Sequence, residues 1–332
     1  MNANAGKFII IGSNSFSGSH FINYLLSMNL DVAGISRSAE LNDVFLPYKF
    51  SNVNRFEFHQ LDLNHNIDEI INVIHEFKPN YIVNFAAQGM VAESWKNPED
   101  WYNTNVISQV KLHDHLRKIN TLEKYVHVTT PEVYGNTNGW IKENNNFNPS
   151  TPYAVSRTSC DLHLISFFKA YHFPVVFTRS ANVYGPNQQL YRIIPRAILD
   201  SRLGKKFSLH GGGYSKRSFI HINDIVEATY KIAISGVIGS SYHISTLKIS
   251  SIREIVMMIC NQLNINFSDL VDETEDRLGK DQSYMLNSDK IRDELKWIDK
   301  IGLEEGISST IEWVDKNLDI LKNLPQKYIH KS

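Results

Sequence analysis

Short, densely apolar runs alternate with longer amphipathic ones through the first half of the chain. Lys7 to Ile11 (KFIII) reads as a buried strand, and Phe16 to Met28 places Phe16, Phe21, Ile22, Leu25 and Leu26 at helical spacing. The same reading gives strands at Asp31–Ser36, Arg55–Gln60, Tyr81–Phe85 and Lys124–Thr129, with a helix at Ile67–Phe77 stopped by Lys78-Pro79-Asn80. A long helix is expected from Pro98 to Ile119, another from Tyr153 to Tyr171, and a strand from Pro174 to Arg179. Strands separated by helices of this length imply right-handed crossovers and a parallel sheet buried on both faces.

After about residue 180 the alternation weakens, and glycine and proline gather in Tyr184-Gly185-Pro186 and His210-Gly211-Gly212-Gly213. Two later helices, Ile252–Leu263 and Leu303–Lys316, enclose irregular sequence. The expected organisation is α/β: residues 1–180 as a dinucleotide-binding unit, with chain crossings to about 245, and 181–332 as a smaller C-terminal substrate-binding part. At roughly 150 residues per domain, 332 residues fit two units.

Composition narrows the class without choosing a chemistry. Lys+Arg 34 against Asp+Glu 35 leaves a net charge of -1, so no global charge favours nucleic acid or a membrane surface. The apolar runs are far shorter than the roughly 18 residues of a spanning helix, and MNANAGKFII lacks the pattern of a signal peptide. Cys160 and Cys260 cannot build a disulfide framework. A cytoplasmic protein is expected, with no nucleic-acid or membrane partner.

The first strand runs into Gly12-Ser13-Asn14-Ser15-Phe16-Ser17-Gly18. A phosphate there would meet free backbone N–H groups and the positive end of a helix. Gly12 allows the tight turn and Gly18 close packing of helix on sheet, while Ser15 stands where dinucleotide loops usually have a third glycine. The second strand ends in Ser36-Arg37 in place of the acid that accepts from an NAD ribose. Arginine can grip a 2′-phosphate with two parallel hydrogen bonds, so NADP is the first expectation and NAD the second.

Tyr153 and Arg157 share a helical face behind Pro152, and a cation beside a phenol stabilises the phenolate. Thr130 and Glu132 follow the fifth strand, at the sheet edge where ligands bind in open α/β folds.

Further segments carry a likeness to a family: Ala86-Ala87-Gln88, Ser94-Trp95, Thr130-Pro131-Glu132-Val133-Tyr134-Gly135, Tyr153-x-x-x-Arg157, Asn182-Val183-Tyr184-Gly185-Pro186, Arg217-Ser218-Phe219 ahead of Asp224, and Arg277-Leu278-Gly279-Lys280-Asp281. In this order the chain resembles the extended short-chain dehydrogenases acting on nucleotide sugars, from Lys7 to about Leu321. Within them it is most similar to the sugar-nucleotide 4,6-dehydratases of the GDP-mannose and dTDP-glucose types. The resemblance implies a Rossmann-type doubly wound sheet, a nucleotide-diphosphate sugar as substrate and a homodimer. Its reaction is redox-neutral: hydride leaves C4 of the sugar, water is lost across C5 and C6, and hydride returns to C6.

By the same resemblance Tyr153 takes the 4-hydroxyl proton, Thr130 bonds the 4-oxygen, Glu132 takes the C5 proton and Arg157 replaces the family lysine. Gly12, Ser15, Phe16, Gly18, Ser36, Arg37, Asp62, Leu63, Ala86, Ala87 and Gln88 would line the cofactor. Ser94, Asn182, Arg192, Arg217 and Arg277 would meet the substrate. The chain departs from the family at Arg157, at Ser15, and at Pro131, where the dTDP-glucose type has an acid. Competing readings are a C4 epimerase, a glucuronate decarboxylase using Arg192 for the sugar carboxylate, and a non-catalytic cofactor binder. His113 and His115 point to different sides of a helix and do not form a metal site. His210-Gly211-Gly212-Gly213 lacks the nucleophile elbow of a hydrolase.

Overall fold

The structure, a computed structural model, describes residues 6–137, 139–275 and 285–331. Its centre is a parallel sheet of β1 (Phe8–Ile11), β2 (Val32–Ser36), β3 (Phe56–Gln60), β4 (Tyr81–Asn84), β5 (Lys124–Val128), β6 (Val175–Ser180) and β7 (Ser241–Ile244). The spatial order is β3-β2-β1-β4-β5-β6-β7. β1 pairs with β2 on one side (Phe8 opposite Val32) and with β4 on the other (Phe8 opposite Tyr81). Chain direction across the sheet therefore reverses at β1, which opens a crevice at the carboxyl ends of β1 and β4.

The helices that frame the crevice are α1 (Phe16–Ser27), α2 (Ile67–Phe77), α3 (Ser108–Leu116), α4 (Pro152–Tyr171), α5 (Ile193–Arg202), α6 (Ile222–Ser235), α7 (Ile252–Leu263) and α8 (Leu303–Lys316). The pleat of β1 explains its unbroken apolar run. Phe8 and Ile10 enter one core with Phe21, Leu25, Ile225 and Ile232, whereas Ile9 and Ile11 enter the other with Ile70, Ile74, Leu112 and Leu164. Both faces are thus sealed by helices, as a parallel sheet requires.

The alternation does not end at residue 180. α6 and β7 return to the sheet, and Ile291, Leu295 and Trp297 join the same core. Asp224 holds this return in place by accepting from the backbone N–H of Lys300 (3.0 Å) and Ile301 (3.1 Å). A separate core forms from α5, α7 and α8 around Ile194, Ile198, Ile255, Ile259, Ile307 and Val314.

The single long helix expected from Pro98 to Ile119 is three helical stretches: Pro98–Tyr102, a π-helix Asn103–Ile107, and α3. The wide turn has a visible cause. It turns the fully buried Asn105 toward Gln88, beyond the end of β4. There its Oδ1 accepts from Gln88 N (2.8 Å), and its Nδ2 donates to Gln88 O (3.1 Å) and Ser156 Oγ (3.0 Å).

Candidate active site

Gly12 leaves β1 at φ +84°, and a Cβ there would stand 2.7 Å from the backbone nitrogen of Ala86. Only glycine suits that close approach of two strand ends. At Gly18 a Cβ would lie 2.4 Å from the carbonyl oxygen of Gly12, so this glycine supports the turn from behind. Ser15 takes the third-glycine position for a local reason. Its side chain turns back as the N-cap of α1 and accepts from Gly18 N at 3.0 Å. Asn14 ties the loop to the end of β2, donating from Nδ2 to the carbonyls of Ser38 (2.8 Å) and Ala39 (2.9 Å).

Beside this loop lies a cleft of about 270 Å³, lined by Gly12, Ser15, Ser36, Arg37, Asp62, Leu63, Ala86, Ala87 and Gln88. It continues into a larger cleft of about 1130 Å³ through Ser15, Arg37, Phe85, Ala87 and Gln88, which line both. Phe16, Thr130, Glu132, Tyr153, Arg157, Asn182, Arg192 and Arg217 all line the larger one. The trough leads from the carboxyl end of β2, over the N-terminus of α1, to the tyrosine of α4. Its shape and donors fit a dinucleotide: a glycine cradle, a helix N-terminus for phosphate, and the buried Nη1 of Arg157, which has no hydrogen-bond partner among the described residues.

Thr151 caps α4 by accepting from Ala154 N at 3.1 Å, and Pro152 occupies its first turn. Tyr153 therefore enters at a fixed angle. Its phenol is hydrogen-bonded to the Thr130 side chain and faces the Glu132 carboxylate, Arg157 and Arg192. Arg157 was expected to acidify this phenol; the balance runs the other way. Burial and the charge of Glu132 raise the Tyr153 pKa, and outweigh the lowering by Arg157, Thr130 and Arg192.

Arg157 itself is buried and reaches past the tyrosine. Its Nη2 donates to the carbonyl of Val128 and lies 3.5 Å from His127 Nε2. Behind it, Asp161 accepts from Arg179 Nη2 (2.7 Å) and Thr129 Oγ1 (3.1 Å), and its other oxygen lies 3.4 Å from His127 Nε2. Burial pushes the Asp161 carboxyl up, but Arg179, His127 and Arg157 together hold it below the usual range. Burial lowers His127 to about 4, so it is neutral near pH 7. His113 meets His127 and Cys160, with potential ligand atoms within 4.8 Å of one another. The guanidinium of Arg157 beside this group opposes a further cation.

Ser94 is not where a substrate contact was expected. It is fully buried and outside the lining of both clefts; its Oγ donates to Val91 O (2.6 Å) and accepts from Tyr153 N (3.2 Å). Its role is to fix the first turn of α4. Arg217 is nearly buried and donates to its neighbour's carbonyl, Lys216 O, at 2.8 Å. Arg277 lies outside the described residues.

Sequence reading missed several contributors. Asn105 carries no local signal, being one polar residue inside a helical run. Tyr328 and Lys331, which line the larger and smaller cleft, belong to a segment without periodicity. The His127–Asp161–Arg179 group sits on buried strand and helix positions, where only the three-dimensional register reveals it.

Comparison with known proteins agrees with this geometry. The dTDP-D-glucose 4,6-dehydratase of Mus musculus is 30% identical over 332 residues, covering 96% of this chain and 91% of the mouse protein. The crystal structure of DesIV, a dTDP-glucose 4,6-dehydratase from Streptomyces venezuelae solved with NAD, matches with a TM-score of 0.87 and 26% identity. That match covers 94% of this chain and 98% of DesIV. The Bacillus anthracis dTDP-glucose 4,6-dehydratase in complex with NAD matches with a TM-score of 0.86 and 29% identity, covering 96% and 99% of the two chains. Both solved enzymes hold NAD, which gives no support to the NADP preference expected from Arg37. Arg37 itself lines both clefts, and its charge also acts on Tyr328. The family model of GDP-mannose 4,6 dehydratase spans residues 9–310, and the chain belongs to that family.

Proposed function

We propose that this protein binds NAD and converts a nucleoside-diphosphate hexose into its 4-keto-6-deoxy derivative with loss of water. The observation that carries the reading is the shared wall of the larger cleft, where the Glu132 carboxylate and the Thr130 hydroxyl both act on the Tyr153 phenol. An epimerase needs only the phenol and its partners; a carboxylate at this position supplies the second base that elimination requires.

The nicotinamide supplies a hydride acceptor that later returns the same hydride. Everything else falls to side chains. Tyr153 accepts the 4-hydroxyl proton as hydride leaves C4, and Thr130 holds the 4-oxygen. The new 4-ketone acidifies the C5–H bond, and Glu132 takes that proton. Pro131 has no side-chain donor, so the protonated Glu132 gives its proton to the departing 6-hydroxyl, which leaves as water. With hydride returned to C6, a proton from solvent added at C5 and the 4-hydroxyl proton passed from Tyr153 to solvent, the atoms balance as loss of one water. Arg217, Arg192 and Asn182, across the cleft from α4, supply donors for the diphosphate and sugar. Residues 1–180 with the returning segments to about 245 act as the dinucleotide-binding part, and 181–332 as the nucleotide-sugar part. The mouse, Streptomyces and Bacillus relatives make a dTDP-hexose the first substrate to try.

The helical stretches beside the site also support a homodimer. Tyr102, Ile107, Leu162 and Tyr171 are exposed on Pro98–Tyr102, Asn103–Ile107 and α4. Apolar surface of this kind on paired helices favours a two-fold partner; light scattering that finds a monomer at micromolar concentration removes the dimer.

Incubation with dTDP-, GDP-, UDP- and CDP-hexoses, and with a UDP-hexuronate, tests the reaction by mass. Loss of one water is expected from one of them, whereas loss of carbon dioxide from a hexuronate, or epimerisation without mass change, overturns the proposal. Tyr153→Phe should abolish cofactor reduction. Glu132→Gln should reduce the cofactor yet neither dehydrate nor exchange the C5 hydrogen with solvent deuterium. Calorimetry should find NAD bound more tightly than NADP.

A further inference from the structure

The segment from Pro325 to Lys331 leaves the helical C-terminal layer and crosses the mouth of the trough. It has no secondary structure of its own and is held at separate points. At its start, Arg196 of α5 donates from Nη1 to Gln326 O at 2.7 Å. The Tyr328 ring meets Tyr191 edge-on, with centroids 5.5 Å apart. His330 lies flat on Trp101 (5.1 Å, 5° between planes), and its Nε2 is 2.6 Å from Asp100 Oδ2. At the far end Gln88 Nε2 donates to Lys331 O (2.6 Å), and Lys331 Nζ donates to Ser38 Oγ (2.9 Å). The segment therefore ties α5, on the substrate side, to Gln88 beyond β4 and to Ser38 beyond β2.

Its side chains face the ligand space. Gln326, Lys327 and Tyr328 line the larger cleft, and Lys331 lines the smaller one beside Ser36 and Asp62. Tyr328 feels the charges of both Arg37 and Arg192, which places it where the two clefts join. A dinucleotide lying from Asp62 to Tyr153 would pass beneath it.

We propose that residues 325–331 are a strap that retains the dinucleotide, with Lys331 as a binding residue for its adenosine half and His330 as the latch on Trp101 and Asp100. Discrete polar and aromatic anchors without a core of their own open at low free energy, so the strap can lift for loading and close over the bound ligand. This suits the function proposed above, on which the inference rests: a reaction that takes hydride and gives it back has no need to exchange its cofactor at each turnover.

The test measures release directly in the full-length protein, without any sugar. NADH is bound, and its fluorescence is followed after a chase with excess NAD in a stopped-flow instrument. His330→Ala, which removes both the stack and the contact with Asp100, should speed release about tenfold, the equivalent of about 1.4 kcal/mol. Lys331→Ala changes an exposed side chain with no core contact and guards against misfolding of the first variant; it should also speed release. His330→Phe keeps the stack but loses Asp100 and should fall between. Parent-like release in both alanine variants overturns the strap, and so does slower release, which would mean that the segment competes with the dinucleotide instead of covering it. Failure to dehydrate any nucleotide sugar would sink the proposed reaction and leave this measurement standing. Dehydration with unchanged release sinks the strap alone.

Discussion

Replacing Asn105 with leucine tests why a helix beside the active site adopts a π turn. Leucine has the branching and the side-chain heavy-atom count of asparagine but is bulkier, so the substitution removes hydrogen bonds without opening a cavity and adds crowding to the loss. Three bonds are lost: from Gln88 N at 2.8 Å, to Gln88 O at 3.1 Å and to Ser156 Oγ at 3.0 Å. Ser156 keeps its bond to the carbonyl of Tyr153 (2.7 Å), so its loss is one lone pair. The backbone N–H and C=O of the buried Gln88 lose their partner, and each such orphan costs about 1–3 kcal/mol. The expected destabilisation is about 2–6 kcal/mol, against a total stability of order 5–15 kcal/mol. Asn105→Ala should cost less, because the space left admits water to both orphaned groups. Urea denaturation followed by circular dichroism measures the difference. Gln88 lines both clefts and anchors Lys331, so NAD affinity should fall along with stability. A leucine variant within about 0.5 kcal/mol of the parent refutes the argument that Asn105 is what the π turn serves.

Removing the carboxylate in Glu132→Gln should also shift the pH dependence of cofactor reduction downward, since Glu132 raises the Tyr153 pKa; single-turnover absorbance across pH reads this. Arg157→Ala should shift the same profile upward, and Arg157→Lys should keep it near the parent's. Gly12→Ala combines φ +84° with a Cβ at 2.7 Å from Ala86 N, and should cost at least tenfold in NAD affinity by calorimetry, or about 1.4 kcal/mol. Burial lowers His20 and His243 to about 3, and His127 and His221 to about 4. Their folded pKa values lie below the unfolded value of about 6.5, so the unfolded chain takes up protons first as pH falls. Stability is complete above about pH 6.5 and declines toward pH 4 by about 1.4 kcal/mol per histidine per pH unit. Urea midpoints that agree between about pH 7.5 and 5.5 would contradict this.

What the sequence made legible follows from how each signal is written. β1, β2, β4, β5 and the helices Ile67–Phe77, Ile252–Leu263 and Leu303–Lys316 were readable to within a residue or so, because each buries one continuous pattern. β7 was not, since Ser241-Tyr242-His243-Ile244 mixes polar and apolar residues; its His243 is buried at the sheet edge against Tyr134 (2.9 Å). The glycine loop was legible because backbone geometry demands specific residues there. Ser94 misled for the opposite reason: its neighbours resemble the family motif, yet its hydroxyl serves α4 and not the cleft. The strap was invisible because its anchors lie 130 residues away in sequence at Arg196 and more than 200 away at Trp101, Asp100, Gln88 and Ser38.

The substitution of arginine for the family lysine makes sense only in the company of that buried group. A guanidinium is longer than an ammonium and keeps its charge when buried. Here the extra length carries Nη2 beyond the tyrosine to the carbonyl of Val128, at the end of β5. The charge then needs an answer inside the protein. Asp161 provides one carboxylate for two guanidiniums, Arg157 and Arg179, while the neutral His127 stands between Asp161 and Arg157. The Arg157 charge lowers the Tyr153 pKa and so opposes the cost of burying a phenolate. Burial of the phenol, with the charge of Glu132 added, outweighs that benefit and raises the Tyr153 pKa. The same Arg157 leaves Nη1 buried and without a partner among the described residues, on the wall where ribose hydroxyls of a dinucleotide would lie. The charge that lowers the Tyr153 pKa and the buried, unpartnered Nη1 are thus parts of one side chain.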